Sequence, residues 1–429
     1  MGAEGRSAVR YLRDAGHTNT LHAISDEPVV VDDPDLKWWT GKQQTEGLDH
    51  IDILIRSPGF PPHHPTLIAC INAKVTITTT TNLVIAELRN NQLPIIGVTG
   101  SKGKSTTVTL IHQMLDNAGI PNSLVGNIGL PALEALDDII EQRKVTVFEM
   151  SSYQCHDLVL GPTIAVLLDL FPEHMDWHGD TEAYIQAKLK IASTQRPGDQ
   201  FIFNNHSRCW EDSLGPGTAI NVNHPDGLHY RDQWFREGKQ KLCDDQLMYL
   251  RGEHQRRNAI SAFSAARLLG ATPDDLEAIL STFQGLPHRM QDLGVVRGIR
   301  WFDDAISTAP QAAAAALCAL GDEAGSIIVG GMDRGYDFAP LATAIADSHL
   351  DAVIVMPDSG SCLVDALKDT DIAIEHCENL EIAVNRASAL TLPGRACLFS
   401  PASPSYNQFR NFEQRGDRFI ELVLALRHA

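Results

Sequence analysis

Two lysines, two glycines and a run of hydroxyls fall together in Thr99-Gly100-Ser101-Lys102-Gly103-Lys104-Ser105-Thr106. Their spacing suits polyphosphate chemistry. Free backbone N–H groups of a glycine loop and the positive end of a following helix attract phosphate oxygens, Lys104 can reach the terminal phosphates, and the Ser105 hydroxyl can ligate magnesium. The strict form of such a loop carries a glycine where this chain has Val98. The surroundings restore the assignment: β-branched Ile95 to Val98 lead in, and Val108, Ile111, Met114 and Leu115 mark one apolar helical face after it. An ordinary strand-to-helix turn seldom needs two lysines and two glycines at once, so Gly100 to Thr106 are expected to bind ATP or GTP.

Two further groups emerge where buried-type strands end. Glu149 closes Val145 to Phe148, and His174 follows Ala165 to Leu170. Beside a phosphate loop they are candidate Mg²⁺ ligands, since the ion takes oxygen donors and bridges phosphates. The plainer alternative makes Glu149 and Asp176 helix caps and His174 a turn residue. Lys188 sits in a helical stretch where spacing alone does not distinguish it from a solvated lysine. Asn258 and His254 read equally as caps of a polar helix start. Arg289, after Leu286-Pro287, is either a boundary arginine closing on nucleotide phosphates or a surface residue. Ser57-Pro58-Gly59 is a turn able to present backbone donors.

The elements that must position these groups alternate in type. From Leu93 to about Gly285, short apolar strands (Ile95 to Val98, Val145 to Phe148, Ala165 to Leu170, Phe201 to Phe203) are separated by helix-length segments, which implies a parallel, doubly wound α/β sheet. Residues 1–92 form a smaller unit: a helix from Ala8 to Ala15 stopped by Gly16, and a strand at Ile51 to Ile55. A dinucleotide-type fold would begin with a strand, and none precedes this helix: either the true start lies upstream or this unit lacks its central strand. Residues 286–429 repeat the α/β logic, with strands at Ser326 to Val329, Ala352 to Val355 and Ala396 to Phe399. The Gly330 to Gly335 and Ser400 to Ser403 turns fall at strand ends where open sheets bind ligands.

Composition narrows the class. At 429 residues the chain suggests two to three domains. With 35 Lys and Arg against 54 Asp and Glu, a cationic nucleic-acid surface is not expected. Eight cysteines without a Cys-x-x-Cys pair argue against a zinc ribbon or disulfide framework and fit a reducing cytoplasm. Charges interrupt the first thirty residues and no apolar run is long enough to span a bilayer, so neither export nor embedding in a membrane is expected.

Taken in order, the phosphate loop, Gly126-Asn127-Ile128-Gly129, Glu149 to Gln154, Glu173 to Asp176, the Lys188 segment, Gly252 to His254 with Asn258, Leu286 to Arg289, Asp304, and Ser400-Pro401-Ala402 with Ser405 and Asn411-Phe412-Glu413 resemble the glutamate-adding Mur ligases along nearly the whole chain. The resemblance implies a three-domain architecture. Domain 1–92 would be Rossmann-like and bind a UDP substrate, domain 93–285 would bind ATP, and domain 286–429, again Rossmann-like, would bind glutamate. It also implies ATP-dependent amide formation through an acyl phosphate, with ATP and Mg²⁺ as cofactors, in cytoplasmic peptidoglycan precursor synthesis by a monomer. By the same resemblance Lys104 and Ser105 hold ATP and Mg²⁺, and Glu149 and His174 ligate Mg²⁺. A carbamylated Lys188 supports a second ion. Ser57, Gly59 and Asn127 contact the UDP substrate, UDP-N-acetylmuramoyl-L-alanine. Asn258, Arg289 and Asp304 contact the nucleotide, and Thr308, Arg334, Ser405 and Phe412 the incoming glutamate.

The chain departs from that pattern at Asp303-Asp304-Ala305-Ile306-Ser307-Thr308. Ile306 stands where the D-glutamate enzymes place a lysine for the acceptor carboxylate, and Arg334 is the candidate replacement. Together with the Leu170 to Asp180 and Asn223 to Gly227 stretches, this resembles the variant ligases that add L-glutamate and rely on a separate epimerase afterwards. D-glutamate addition is the alternative. Folylpolyglutamate synthases share the ATP and ligase domains but have little ahead of the phosphate loop. A non-catalytic nucleotide switch would not need Glu149, His174, Lys188 and the acceptor residues together.

Overall fold

The structure, a computed structural model, describes residues 3–25, 33–40, 44–45, 48–204, 215–248, 252–368 and 372–427. The chain forms two compact units, Met1–Phe283 and Gln284–Ala429. In the first, the helix Ala3–Asp14 precedes a parallel pair, β1 (Leu21–Ile24) and β2 (Leu36–Trp39), and a second parallel pair, β3 (Ile53–Arg56) and β4 (Thr76–Thr79). Six parallel strands follow: β5 (Ile95–Thr99), β6 (Asn122–Gly126), β7 (Val145–Glu149), β8 (Ile164–Leu167), β9 (Gln200–Asn204) and β10 (Thr218–Val222), in the order β10-β9-β8-β5-β7-β6. Every residue of β5, β7 and β8 is buried, as near-continuous apolar strands covered on both faces must be.

From β5 the chain runs to one side for β6 and β7, then crosses to the other for β8 to β10. The carboxyl end of β5 is therefore the switch point at which open α/β sheets bind ligands. One core joins the sheet to the elements ahead of it: Ile95, Phe148 and Leu167 pack in the same cluster as Ala8 of the first helix and Val84, Ile85 and Leu88 of the helix Thr80–Asn90. Ion pairs fasten the same elements. Arg89 bonds Asp199 at 2.8 Å, and the fully buried Arg56 bonds Asp157 at 2.6 Å. A small antiparallel sheet, β11 (Leu228–Arg231), β12 (Trp234–Glu237) and β13 (Gln240–Asp244), completes this unit.

The second unit carries β14 (Gln291–Val296), β15 (Ile299–Asp303), β16 (Ala324–Val329), β17 (Ala352–Val355), β18 (Ile374–His376) and β19 (Ala396–Phe399), in the order β14-β15-β19-β16-β17-β18. Only β14 runs antiparallel, joined to β15 through Arg297 and Gly298, both at positive φ, the backbone a tight hairpin turn requires. The seven described cysteines are free thiols. Cys209 and the side chain of Asp176 lie outside the described residues. Among the described residues no helix is long and apolar enough to cross a membrane.

Candidate active site

The phosphate loop leaves β5 and enters the helix Lys104–Asn117, whose Val108, Ile111, Met114 and Leu115 are fully buried. That apolar face fixes the helix on the sheet and points its N-terminus at the loop. Gly103, at φ +86°, caps the helix, and a Cβ there would collide with the carboxamide of Asn258. Asn258 is thus brought onto the loop from a helix, Glu253–Arg267, far along the chain. The loop is braced beneath by Ser101, whose hydroxyl lies 2.6 Å from the Tyr184 phenol and accepts from the Phe171 N–H at 2.8 Å. Lys102 pairs with Glu173 at 2.6 Å.

Two ammonium groups converge on this loop. Lys104 Nζ donates to the carbonyls of Gly100 and Ser101 at 2.9 Å each, and Lys188 Nζ donates to that of Gly100 at 2.8 Å. Lys188 is 2% exposed. It stands on the helix Thr181–Ser193, which Asp180 caps by accepting from the Ala183 N–H. Tyr184, one turn earlier on the same face, lies with its ring 5.1 Å from the Lys188 ammonium. Burial, and secondarily the nearby Lys104 cation, pull the Lys188 pKa down to about 7. A lysine so placed is substantially neutral at neutral pH, the form that reacts as an amine.

Glu149, at the end of β7 next to the loop strand, is 4% exposed, and its Oε2 is buried without a hydrogen-bond partner among the described residues. It does not cap the neighbouring helix: Ser151 does, in a reciprocal capping box with Gln154. A buried carboxylate oxygen without a donor is costly, and a cation is the natural partner for it. His174 is exposed and sits in left-handed backbone, φ 58°, at the start of the helix Met175–His178, with its ring 5.2 Å from that of Tyr153. By type, the Ser105 hydroxyl and the Glu149 carboxylate are oxygen donors of the kind Mg²⁺ accepts, and the His174 ring is a nitrogen donor. Among the described residues no three His, Cys, Asp or Glu side chains converge as a metal cluster.

Lys104, Lys188 and His174 open on a cavity of about 500 Å³ within the first unit. Its walls bring together Lys104, Lys188, His174, Asn127, Ser57 and Gly59 from five separate stretches of chain. Tyr153, Gln154 and Glu173, members of the Glu149 to Gln154 and Glu173 to Asp176 motifs, line it as well, as do Glu4 and Tyr184, which were not singled out from the sequence. Tyr184 had one available signal, its position four residues before Lys188. Ser105, Glu149 and Asn258 do not line this cavity.

The other expected residues belong to the second unit. Asp304 is buried and accepts from the Ser400 hydroxyl at 2.8 Å; burial raises its pKa. Thr308 is half-buried just ahead of the helix Pro310–Leu320, and Ser405 is buried after β19. Phe412 opens the last helix, with its ring 6.3 Å from His288. Arg289 and Arg334 are exposed, Arg334 over the Tyr406 ring. Sequence reasoning overlooked Arg415, which is fully buried and donates to the carbonyls of Ala305 and Ser403 at 3.1 and 2.9 Å. Burial lowers its pKa to about 10.

A phosphate loop at the switch point of a parallel sheet, followed by a second α/β unit, defines a nucleotide-using α/β enzyme of two compact units. Profiles of the Mur ligase middle domain and of the Mur ligase glutamate ligase domain match residues 98–224 and 288–403. The chain is 35% identical to a UDP-N-acetylmuramoyl-L-alanine–L-glutamate ligase of Salinispora tropica, over 98% of this chain and 95% of that protein. It is 30% identical to a UDP-N-acetylmuramoylalanine–D-glutamate ligase of Lacticaseibacillus paracasei, over 100% and 95%. The fold matches that of the MurF ligase of Thermotoga maritima, solved in complex with ADP, at a TM-score of 0.54 and 17% identity, over 98% of this chain and 92% of that one. The chain belongs to the Mur ligase family, and it is an ATP-dependent, amide-bond-forming ligase.

Proposed function

We propose that this ligase adds glutamate, the L isomer by preference, to UDP-N-acetylmuramoyl-L-alanine in the cytoplasm, acting as a monomer whose product a separate epimerase then converts. The observation that carries the reading is the single cavity in which Lys104 and Lys188 share walls with Asn127, Ser57 and Gly59. The phosphate-binding Lys104 cation and the Lys188 amine there meet groups assigned to the UDP substrate. In this reading residues 1–92 hold the UDP substrate, 93–285 hold ATP and 286–429 hold glutamate. Asn258, Arg289 and Asp304 contact the nucleotide, and Thr308, Arg334, Ser405 and Phe412 the acceptor. Ile306 in place of a lysine and the 35% identity to an L-glutamate ligase support the L isomer.

The alanyl carboxylate attacks the γ-phosphorus of ATP, the bond to the ADP oxygen breaks, and an acyl phosphate forms. The glutamate amine then attacks the acyl carbon, phosphate leaves, and the nitrogen gives up a proton. Negative charge grows on the transferred oxygens, so Lys104 and the loop N–H groups supply electrostatic stabilisation. Ser105, Glu149, His174 and a carbamylated Lys188 would hold Mg²⁺, which when bound offsets phosphate charge. The test mixes the protein with ATP, Mg²⁺ and UDP-N-acetylmuramoyl-L-alanine and follows phosphate release with L- or D-glutamate. Faster release with the L isomer is expected. A preference for D overturns the stereochemical assignment, and no release with either overturns the function. Lys104→Ala should abolish turnover and leave the circular dichroism unchanged.

A further inference from the structure

Arg56, the last residue of β3, is 2% exposed and lies behind three segments of the cavity wall without lining the cavity itself. The first segment is the turn that follows it. Arg56 Nη1 donates to the Phe60 carbonyl and comes within 3.5 Å of the Pro58 carbonyl. Ser57 and Gly59, on the exposed side of the turn, line the cavity. The second segment is the helix Ser152–His156, whose first turn lines the cavity and whose last residue is followed by Asp157. Arg56 Nε donates to the Asp157 carboxylate at 2.6 Å, and the Asp157 carbonyl is itself held by the Asn82 side chain at 2.8 Å. The third is the helix Met175–His178, which His174 opens: its buried Trp177 sets its ring 5.6 Å from the guanidinium carbon.

Taking a guanidinium out of water is costly, and what an arginine offers in return is a rigid fork of five donors that can hold a carboxylate on one side and carbonyls on another. Here the fork divides between the turn beside it and an anchor 101 residues away. Within the turn the Phe60 N–H donates to the Ser57 carbonyl at 3.0 Å. That bond fixes the curvature of the turn but not its distance from the opposite wall; the bond to Asp157 fixes the distance. We propose that Arg56 is a positioning residue for the carboxyl substrate: through Asp157 it sets the Ser57–Gly59 turn against the Ser151–Gln154 wall, a role that rests on the proposed function, in which that turn holds the UDP substrate. Its partners lie outside Gly100 to Thr106, so its effect falls on the UDP substrate and spares ATP.

Steady-state kinetics of the full chain test it, with ATP, Mg²⁺, glutamate and UDP-N-acetylmuramoyl-L-alanine, well below the melting temperature of each variant. Arg56→Met keeps the apolar stem and removes the fork. It should raise KM for the UDP substrate about tenfold and leave KM for ATP within about twofold. Asp157→Asn keeps the bonds to the turn and loosens the anchor, so it should raise the same KM about threefold. In the double variant KM should match that of Arg56→Met alone, because both changes break one tie. Arg56→Lys keeps the charge but must serve the carboxylate and the carbonyls with a single ammonium, and its KM should fall between those of the unaltered protein and Arg56→Met. If Arg56→Met does not fold, Arg56→Lys and Asp157→Asn carry the same expectation in smaller measure. Unchanged KM in variants that melt lower means that the pair only stabilises the fold. Equal rises for both substrates, or effects that multiply in the double variant, mean a general loosening. Each of these overturns the proposal, while turnover by the unaltered protein keeps the function; no turnover by the unaltered protein overturns both.

Discussion

Lys104 and Lys188 donate to one carbonyl: their ammonium groups lie 2.9 and 2.8 Å from the oxygen of Gly100. The Lys104 cation, held with the Lys188 amine against a single acceptor at a loop meant for phosphate, gives the site a positive potential before any ligand arrives. The arrangement also explains why Lys188 surrenders its proton so readily, for burial disfavours its charge and Lys104 repels it.

The first prediction concerns that proton. Unfolded, the lysine keeps its ordinary high pKa; folded, the pKa falls to about 7, so the native state binds fewer protons between these values and stability rises with pH there. The penalty for the buried cation is complete below pH 7. Lys188→Met should therefore raise the melting temperature of the ligand-free protein most at pH 6, with the difference narrowing toward pH 10. Activity should move oppositely, abolished in the variant. In the unaltered enzyme it should fall in buffers stripped of CO₂ and return with bicarbonate more fully at pH 8 than at pH 6, because the neutral amine is what captures CO₂. Activity indifferent to bicarbonate would sink the carbamate.

A second prediction follows from the orphaned oxygen of Glu149. If that oxygen exists to hold a cation, Glu149→Gln should lower kcat by about 10²-fold or more and shift the Mg²⁺ dependence to higher concentration. The melting temperature of the metal-free variant should be equal or higher, since a buried unpaired charge has been removed. Full activity at unchanged Mg²⁺ demand would return Glu149 to a structural role.

The phosphate loop and the parallel sheet were legible in the sequence because their signals are local: a contiguous cluster of polar residues after a β-branched run, and apolar positions at helical spacing. Lys188 stood out only through the family resemblance, since a lysine's burial depends on which face the helix Thr181–Ser193 turns toward β5, and spacing along the helix does not encode that. Glu4 reaches the cavity only when the first helix packs on the central sheet. The small sheet β11 to β13 escaped notice because its strands are short and rich in charge, with Arg231, Arg236, Glu237 and Lys241. The β14–β15 hairpin escaped because Arg297 supplies one of the two positive φ angles that a sequence reader assigns to Gly or Asn.

A third prediction tests the seating of Asn258 on the loop. Gly103→Ala meets two obstacles, a positive φ worth about 1–2 kcal/mol and the Asn258 carboxamide in the space of the new methyl group. Asn258→Ala removes only the second. In denaturant unfolding, Gly103→Ala should cost about 1 kcal/mol less in the Asn258→Ala background than alone, and neither Gly103 variant should bind ATP tightly. A coupling energy of zero would mean that Asn258 stands clear of the loop.

The last prediction belongs to the second unit. His288, after Leu286-Pro287, holds a left-handed backbone, φ 58°, and its buried Nδ1 lies 2.7 Å from an oxygen of the fully buried Asp303. The last helix passes so close that a Cβ at Gly416 would meet the ring. Asp417 lies 3.6 Å from Nε2, and Glu413 adds a weaker attraction. Burial opposes the charged imidazole, but the hydrogen bond and charge of Asp303, helped by these two carboxylates, outweigh it, so the His288 pKa is raised. The sign follows from linkage: the native state holds its proton more tightly than the unfolded chain, so the stabilisation is complete below the ordinary histidine pKa and is lost as pH rises through the higher folded value. Urea unfolding of the second unit, followed by the fluorescence of its Trp301, should therefore show higher stability at pH 6 than at pH 8. Asp303→Asn removes the main partner of the charged ring and should flatten that slope, whereas Asp417→Asn, changing a mostly exposed carboxylate, should reduce it only slightly. A slope that survives Asp303→Asn would place the titrating group elsewhere in the unit.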